Sequence, residues 1–282
     1  MSRDESRPLG RREVLGLLGV GVCAIPRAGG AAEQMPRSTG VDHVEFWVSN
    51  VEKSVAFYTR VFGNTVLKNN KTERRYVKIG AAFLAMDRPQ TQQPLRVDHL
   101  CAGVEGFQIA NVHSYLEQRG VAYKDYPSGR DLYVTDPDGT RLQLGVENSW
   151  SQLASGTASA ESIPLAGDPI FRPIGVDHIL LNVTDPEKSA TFYEKLLGPV
   201  TQRNNNRTWF QAGKSRIGLL QTPAGQQAGV NHFCVAAAAF DYADVMKKLE
   251  KAGAKLETAE VAGAPEFRDP DGYLVQVMVP RT

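Results

Sequence analysis

The chain repeats itself, and this constrains it more than any other feature. Gly40-Val41-Asp42-His43 returns as Gly175-Val176-Asp177-His178, Glu52-Lys53-Ser54 as Glu187-Lys188-Ser189, and Phe57-Tyr58 as Phe192-Tyr193. These matches share one shift of 135 positions, and Asp136-Pro137-Asp138-Gly139 recurs as Asp269-Pro270-Asp271-Gly272 at a shift of 133. A sequence self-similar in one register folds as copies of one unit. Each copy is also double inside. Val97-Asp98-His99 echoes Val41-Asp42-His43, and Val230-Asn231-His232 echoes Val176-Asp177-His178. The useful count is therefore four modules of about 50 residues each, a typical size for one supersecondary unit.

The local pattern is the same in each module. The run from His43 to Val48 alternates as one sheet face requires. A helix follows. In the third module Asp185 caps it and Pro186 takes the first helical position, where a missing N–H costs nothing. Ala190, Phe192, Tyr193, Leu196 and Leu197 supply its apolar stripe, and Gly198 stops it. Three short strands come next, around Val66–Lys68, Arg75–Ile79 and Ala82–Met86 in the first module. In the second, a helix over Ile109–Arg119 ends at Gly120, with strands near Tyr123–Asp125, Leu132–Thr135 and Arg141–Val146. The Asp-Pro-Asp-Gly segments are turns between the last two strands. The unit is βαβββ, used four times in an α+β fold. It gives one domain over residues 40–147, a Ser-, Ala- and Gly-rich linker over 148–170, and a second domain over 174–280.

Residues 1–32 read as a removable export signal. Arg11-Arg12 precede an apolar run from Val14 to Ile25, followed by Gly29-Gly30-Ala31-Ala32. A charged start, a short apolar stretch and a small-residue cleavage site make a signal peptide, and adjacent arginines favour the twin-arginine type. That stretch is too short to span a bilayer comfortably. The expected location is periplasmic or secreted. Cleavage leaves Cys101 and Cys234, expected as unpaired buried thiols. The whole chain carries a net charge of +1, much of it from the signal, and 42% hydrophobic against 22% charged residues. That balance suits a globular protein and gives no electrostatic footprint for nucleic acid. The expected partner is a small molecule, with the chain a monomer or homodimer.

Four of the five histidines (His43, His99, His178 and His232) begin the first strands of the four modules. Histidines at equivalent strand positions converge when two modules pack together. A third ligand is available on each last strand, Gln143 or Gln276, each 44 residues after the second histidine of its repeat. The result is His43/His99/Gln143 and His178/His232/Gln276. Two closures are compatible with this pattern, one within each repeat and one exchanged across repeats (His43/His232/Gln276 and His178/His99/Gln143). Short connections between adjacent modules favour the first. The Asp or Asn before each histidine is expected on the opposite sheet face, as a turn or cap residue.

Paired βαβββ modules, a histidine on each first strand and Asp-Pro-Asp-Gly before the last strand resemble the vicinal oxygen chelate superfamily. This superfamily includes glyoxalase I, extradiol dioxygenases, fosfomycin-resistance enzymes and bleomycin-binding proteins. The resemblance implies glyoxalase-like domains with cupped mixed sheets around a divalent metal (iron, zinc, nickel or manganese). It implies His43, His99 and position 143, and His178, His232 and position 276, as ligands. Glutamate is usual at the last position, and both repeats have glutamine. A neutral amide leaves the full +2 on an ion, which weakens retention and makes the ion a stronger Lewis acid. The carboxylate of the non-haem iron triad is missing. This counts against ring cleavage, and the expected function is a divalent-metal-dependent enzyme of lyase, isomerase or dioxygenase-like chemistry acting on a small substrate with adjacent oxygens. A metal-free binding protein of the bleomycin-resistance type is the alternative.

Glu45 shares a strand face with His43 and is a candidate base or further ligand; its counterpart is Leu180. Arg74 and Arg207 occupy matching positions beside Tyr76 and Trp209 and are candidates for holding an anionic or planar substrate. Cys101 and Cys234 follow their histidines by two and fill space beneath them.

Overall fold

The computed structural model describes residues 36–90, 93–127, 129–165, 167–204 and 206–280. The export signal read from residues 1–32 lies outside them.

The first module runs β1 (Ser38–Trp47), α1 (Val51–Phe62), β2 (Thr65–Asn69), β3 (Arg75–Ile79) and β4 (Ala82–Asp87). The second runs β5 (Val97–Val104), α2 (Ile109–Gln118), β6 (Tyr123–Asp125), β7 (Asp131–Thr135) and β8 (Arg141–Val146). The third has β10 (Pro173–Val183), α4 (Pro186–Leu197), β11 (Gln202–Asn204), β12 (Arg207–Ala212) and β13 (Ser215–Gln221). The fourth has β14 (Gly229–Ala237), α5 (Tyr242–Lys251), β15 (Lys255–Leu256), β16 (Glu266–Arg268) and β17 (Leu274–Met278). Each module is thus βαβββ, in an α+β fold with two mixed sheets. The helix signals work as read. Asn50 caps α1 by accepting from the Lys53 amide at 2.8 Å, and Asp185 caps α4 by accepting from Glu187 and Lys188, with Pro186 first in the helix.

Segment 148–170, expected only to join the repeats, has structure of its own. It forms α3 (Ser149–Gln152), a wide helical turn over Leu153–Thr157 and β9 (Ala158–Ser162). β9 pairs along β2 from Thr65↔Ser162 to Asn69↔Ala158 and becomes the ninth strand of the first sheet.

The first sheet has the order β6-β7-β8-β5-β1-β4-β3-β2-β9, and the second β11-β12-β13-β10-β14-β17-β16-β15. The first strands of the two modules in a repeat lie side by side, antiparallel: β1 with β5 and β10 with β14. Each then takes a parallel neighbour, the last strand of its own module. The modules close within each repeat.

Alternation along β1 sends Val44 and Phe46, both fully buried, to the face that carries the helices. There the two repeats share one core. Phe46 stacks near Phe233 at 6.0 Å, and Phe57 of α1 meets Phe267 of β16 at 6.1 Å. Burying each such ring is worth about 1.5–3 kcal/mol. The Phe-Tyr and Asp-Pro-Asp-Gly motifs meet across this junction. Tyr58 donates to Asp269 at 2.8 Å and Tyr193 to Asp136 at 3.1 Å, while Ser54 reaches Asp271 and Ser189 reaches Asp138. The first aspartate of each turn accepts its own loop amides, as a turn requires, and both aspartates receive hydroxyls from the other repeat. Backbone also meets backbone here. A Cβ on Gly80 (φ +66°) would lie 2.1 Å from the Ile174 carbonyl carbon, and one on Gly213 (φ +57°) 2.2 Å from that of Thr39. Only glycine suits those hairpin tips.

Candidate metal centre

The opposite face of β1 and β5 carries His43, Glu45, His99 and Cys101. Their strands face one another in the register Glu45↔His99 and His43↔Cys101, which brings the two imidazoles together. His43 Nε2 lies 3.2 Å from His99 Nε2 and 3.1 Å from Gln143 Oε1. All three side chains are buried at 2–8% exposure. In the second repeat His178 Nε2 and His232 Nε2 are 3.1 Å apart, and Gln276 lines the same cavity.

The residues before the histidines depart from strand alternation. Along β1 the register steps from Val41↔Ala102 to His43↔Cys101, so Asp42 is an extra residue, a β-bulge. The same step occurs at Asp98, Asp177 and Asn231. The bulge turns each of these side chains back toward its own histidine. Asp42 bonds His43 Nδ1 at 2.8 Å, Asp98 bonds His99 at 2.8 Å, Asp177 bonds His178 at 2.6 Å and Asn231 bonds His232 at 2.8 Å. The expectation of turn or cap residues on the other face is corrected: all four orient imidazoles. The signal was visible in the fourfold Asx-His pair, but strand periodicity alone pointed it the wrong way.

These bonds place the tautomeric proton on Nδ1, because an aspartate or amide oxygen there accepts. Both Nε2 lone pairs then face each other, joined in the first repeat by the Gln143 carbonyl oxygen. His99 Nε2 and Gln143 Oε1 both lie within 3.2 Å of His43 Nε2, so three acceptor atoms gather at one point. A cation between them satisfies all three, and carboxylate-backed imidazole is the usual arrangement at a metal. The donor set fits a divalent ion. In the second repeat His232 is held down to about 3 by burial, then by His178 and Arg207 nearby. Burial pushes the Cys101 and Cys234 thiols well up, and both are free and protonated.

A second acidic layer stands behind the glutamines. Gln276 donates its amide to buried Glu266 at 2.7 Å. In the first repeat the carboxyl of Asp131 lies against Gln143; burial raises it and the Gln143 amide opposes that rise. Asp131 Oδ1 is buried without a hydrogen-bond partner among the described residues. Gly145, opposite Asp131 in the sheet, leaves room for it: a Cβ there would come 3.2 Å from that of Asp131. An amide that donates outward to a carboxylate turns its carbonyl inward, toward the histidines. Sequence reasoning missed Asp131 and Glu266 because they occupy different positions of the two repeats and so share no repeat signal.

The remaining candidates divide between the two sites. Glu45 is buried beside the first pair, with Oε2 4.0 Å from His99 Nε2 and Oε1 2.8 Å from Arg74. Arg74 also bonds Asp87 at 2.9 Å, so its guanidinium is held by two carboxylates while lining the cavity with Tyr76. Arg207 pairs with Glu260, and Trp209 stands edge-on to His178 at 5.2 Å. The first cavity measures about 250 Å³ and the second about 150 Å³. Leu180 and Trp209 stand in the second where the first has Glu45 and Tyr76.

Comparison with known proteins follows this geometry. The family model described as "Glyoxalase/Bleomycin resistance protein/Dioxygenase superfamily" matches residues 40–92 and 175–277. A lactoylglutathione lyase of Schizosaccharomyces pombe is 24% identical over 84% of this chain and 95% of its own length. The 2,3-dioxygenase LapB of Pseudomonas sp. KL28 superposes with a TM-score of 0.68 at 15% identity, over 88% of this chain and 94% of its own. The Mn(II)-bound glyoxalase of Novosphingobium aromaticivorans superposes with a TM-score of 0.63 at 17% identity, over 86% and 82%.

Proposed function

Since the chain belongs to the glyoxalase/bleomycin resistance protein/dioxygenase superfamily, we propose that it is an exported enzyme dependent on a divalent metal, with its working centre at His43, His99 and Gln143. The observation that carries this reading is that His99 Nε2 and Gln143 Oε1 both lie within 3.2 Å of His43 Nε2, with both Nδ1 atoms committed to aspartates. A bound ion supplies Lewis acidity toward a small substrate carrying two adjacent oxygens. Asp42 and Asp98 accept at Nδ1, which leaves Nε2 as the coordinating atom and keeps the two rings correctly turned. Glu45, next to His99, is the proton-handling candidate, and Arg74 fixes its position through an ion pair. Tyr76, Phe83 and Tyr133 give the cavity aromatic walls. Isomerase or lyase chemistry suits this set better than ring cleavage, because the third ligand is an amide. The lyase relative covers most of both chains, which agrees with that preference. The second site, narrowed by Leu180 and Trp209, is read as a structural copy.

Metal analysis after zinc, manganese, nickel and ferrous loading tests the proposal. The expected result is a bound ion that is lost in His43→Ala and His99→Ala. No stoichiometric ion under any loading condition would sink it. The second reading, a metal-free binding protein, draws on the neutral glutamines in both sites; it requires ligand affinity to survive both alanine variants. Export is checked by whether a fusion reporter crosses the membrane only when Arg11 and Arg12 are intact.

A further inference from the structure

The acidic residues behind the histidines are themselves clamped, and one clamp differs. Asp98 is gripped by Arg141, whose Nη1 lies 3.0 Å from both carboxylate oxygens, and Arg141 faces His99 across the β5–β8 ladder. Asp177 is gripped by Arg216 at 2.8 Å, and Arg216 faces His178 across β10–β13. The corresponding partner of His43 on β4 is Phe83, which stacks on its ring at 4.6 Å and offers no donor. Asp42 is held instead by Ser149. The Ser149 amide donates to Oδ2 at 3.0 Å and its hydroxyl donates to Oδ1.

Ser149 belongs to the segment between the repeats, and that segment is anchored onto the first sheet. The Trp150 ring lies 5.7 Å from that of Phe83, with the Lys78 ammonium 4.9 Å from its centroid. At the far end β9 runs along β2, and Glu161 pairs with Arg75. Between these anchors Gln152, Leu153 and Thr157 line the first cavity. Among the described residues, none that lines the second cavity comes from this segment.

We infer that Ser149 is a positioning residue for the first metal centre, and that this strap supplies to Asp42 the clamp that an arginine supplies to Asp98 and Asp177. Seating of the strap and loading of the ion are then coupled through Ser149, Asp42 and His43. This rests on reading that centre as a metal site. Coupling between two sites is reciprocal: if the seated strap favours the ion, the ion must steady the strap to the same degree.

The test uses the whole chain carrying His178→Gln and His232→Gln, so that only the first centre binds, with zinc as the probe. Calorimetric titration of Ser149→Ala is expected to show zinc affinity about tenfold weaker, the lower end for loss of a residue that orients a ligand. Ser149→Thr keeps both donors and should bind as the parent does. Hydrogen exchange at the Ser149 amide should slow when zinc is added to the parent, and stay unchanged in a His43→Ala derivative. Equal zinc affinity in Ser149→Ala and the parent, even with a lowered melting temperature, overturns the inference while leaving the metal site standing. Exchange at Ser149 that ignores zinc overturns it too. Failure of the parent to bind zinc, manganese, nickel or ferrous ion would instead remove the metal reading and this inference with it.

Discussion

Asp98→Asn isolates the charge behind a ligand from its geometry. Asp98 and Asn231 occupy equivalent bulges, and each bonds its histidine Nδ1 at 2.8 Å. The second repeat thus already shows that an amide fits this position. In the variant the Nδ1 bond should persist through the amide oxygen, so the imidazole stays turned as before. What disappears is the negative charge that makes Nε2 a better donor to a cation. Arg141 also loses its ionic partner, but it is about one-third exposed and lies over the Tyr133 ring, so it remains solvated and supported. The expected loss falls in the range for residues that orient metal-bound histidines, about 10–100-fold in affinity, or about 1.4–2.7 kcal/mol. Zinc titration of the first centre, with His178 and His232 both replaced by glutamine, reads it directly. Circular dichroism and melting of the apo-protein check that the fold is intact. An affinity within twofold of the parent, with the fold intact, would refute the argument: the carboxylate would then orient the ring without tuning it.

Other outcomes follow from the same geometry. Tyr58→Phe removes a buried donor to Asp269 and Tyr193→Phe one to Asp136. Each should cost about 1.5–3 kcal/mol and lower the melting temperature by about 3–12 °C in a unit of this size, with near-additive effects in the double variant; two neutral substitutions would dismiss the interlock. Gln276→Glu combined with Glu266→Gln keeps the buried pair with donor and acceptor exchanged and puts the charge on the residue nearer the histidines, so zinc binding at the second site should tighten; affinity no higher than the parent's counts against Gln276 as a ligand. His232 titrates near 6.5 when unfolded and at about 3 in the fold. Its depressed value gives stability that is complete above the unfolded pKa and is lost as pH falls toward the folded one. Between about pH 6 and 4 the apo-protein should therefore lose up to about 1.4 kcal/mol per pH unit through this group. His232→Asn should flatten that slope in denaturant titrations; an unchanged slope would assign the acid sensitivity elsewhere.

Much of the fold was legible because it is written locally and more than once. Periodicity marks each βαβββ unit, caps mark the helices, and repetition aligns His43 with His99, His178 and His232 at one strand position. Gln143 and Gln276 emerge from the same alignment, so the residues that meet in the two clefts could be named without coordinates. Closure within a repeat was favoured by the short connections, but strand pairing decides it: β1 lies beside β5, not β14.

The rest depended on contacts between distant segments. Whether Asp42 faces its histidine depends on a bulge, and a bulge exists only relative to a paired strand. Ser149 reads as linker because its role comes from Asp42, 107 positions away. The Phe-Tyr and Asp-Pro-Asp-Gly motifs are each explicable alone, as helix stripe and turn, and nothing local says that Tyr58 will reach Asp269 in the other repeat. The sequence by itself determined four modules and the six histidines and glutamines that line the two clefts, because propensity and periodicity act over a few neighbouring residues. Tertiary structure alone decided how those residues are oriented, clamped and enclosed, because a side chain's hydrogen-bond partner and the space around it are set by whichever distant segment packs there.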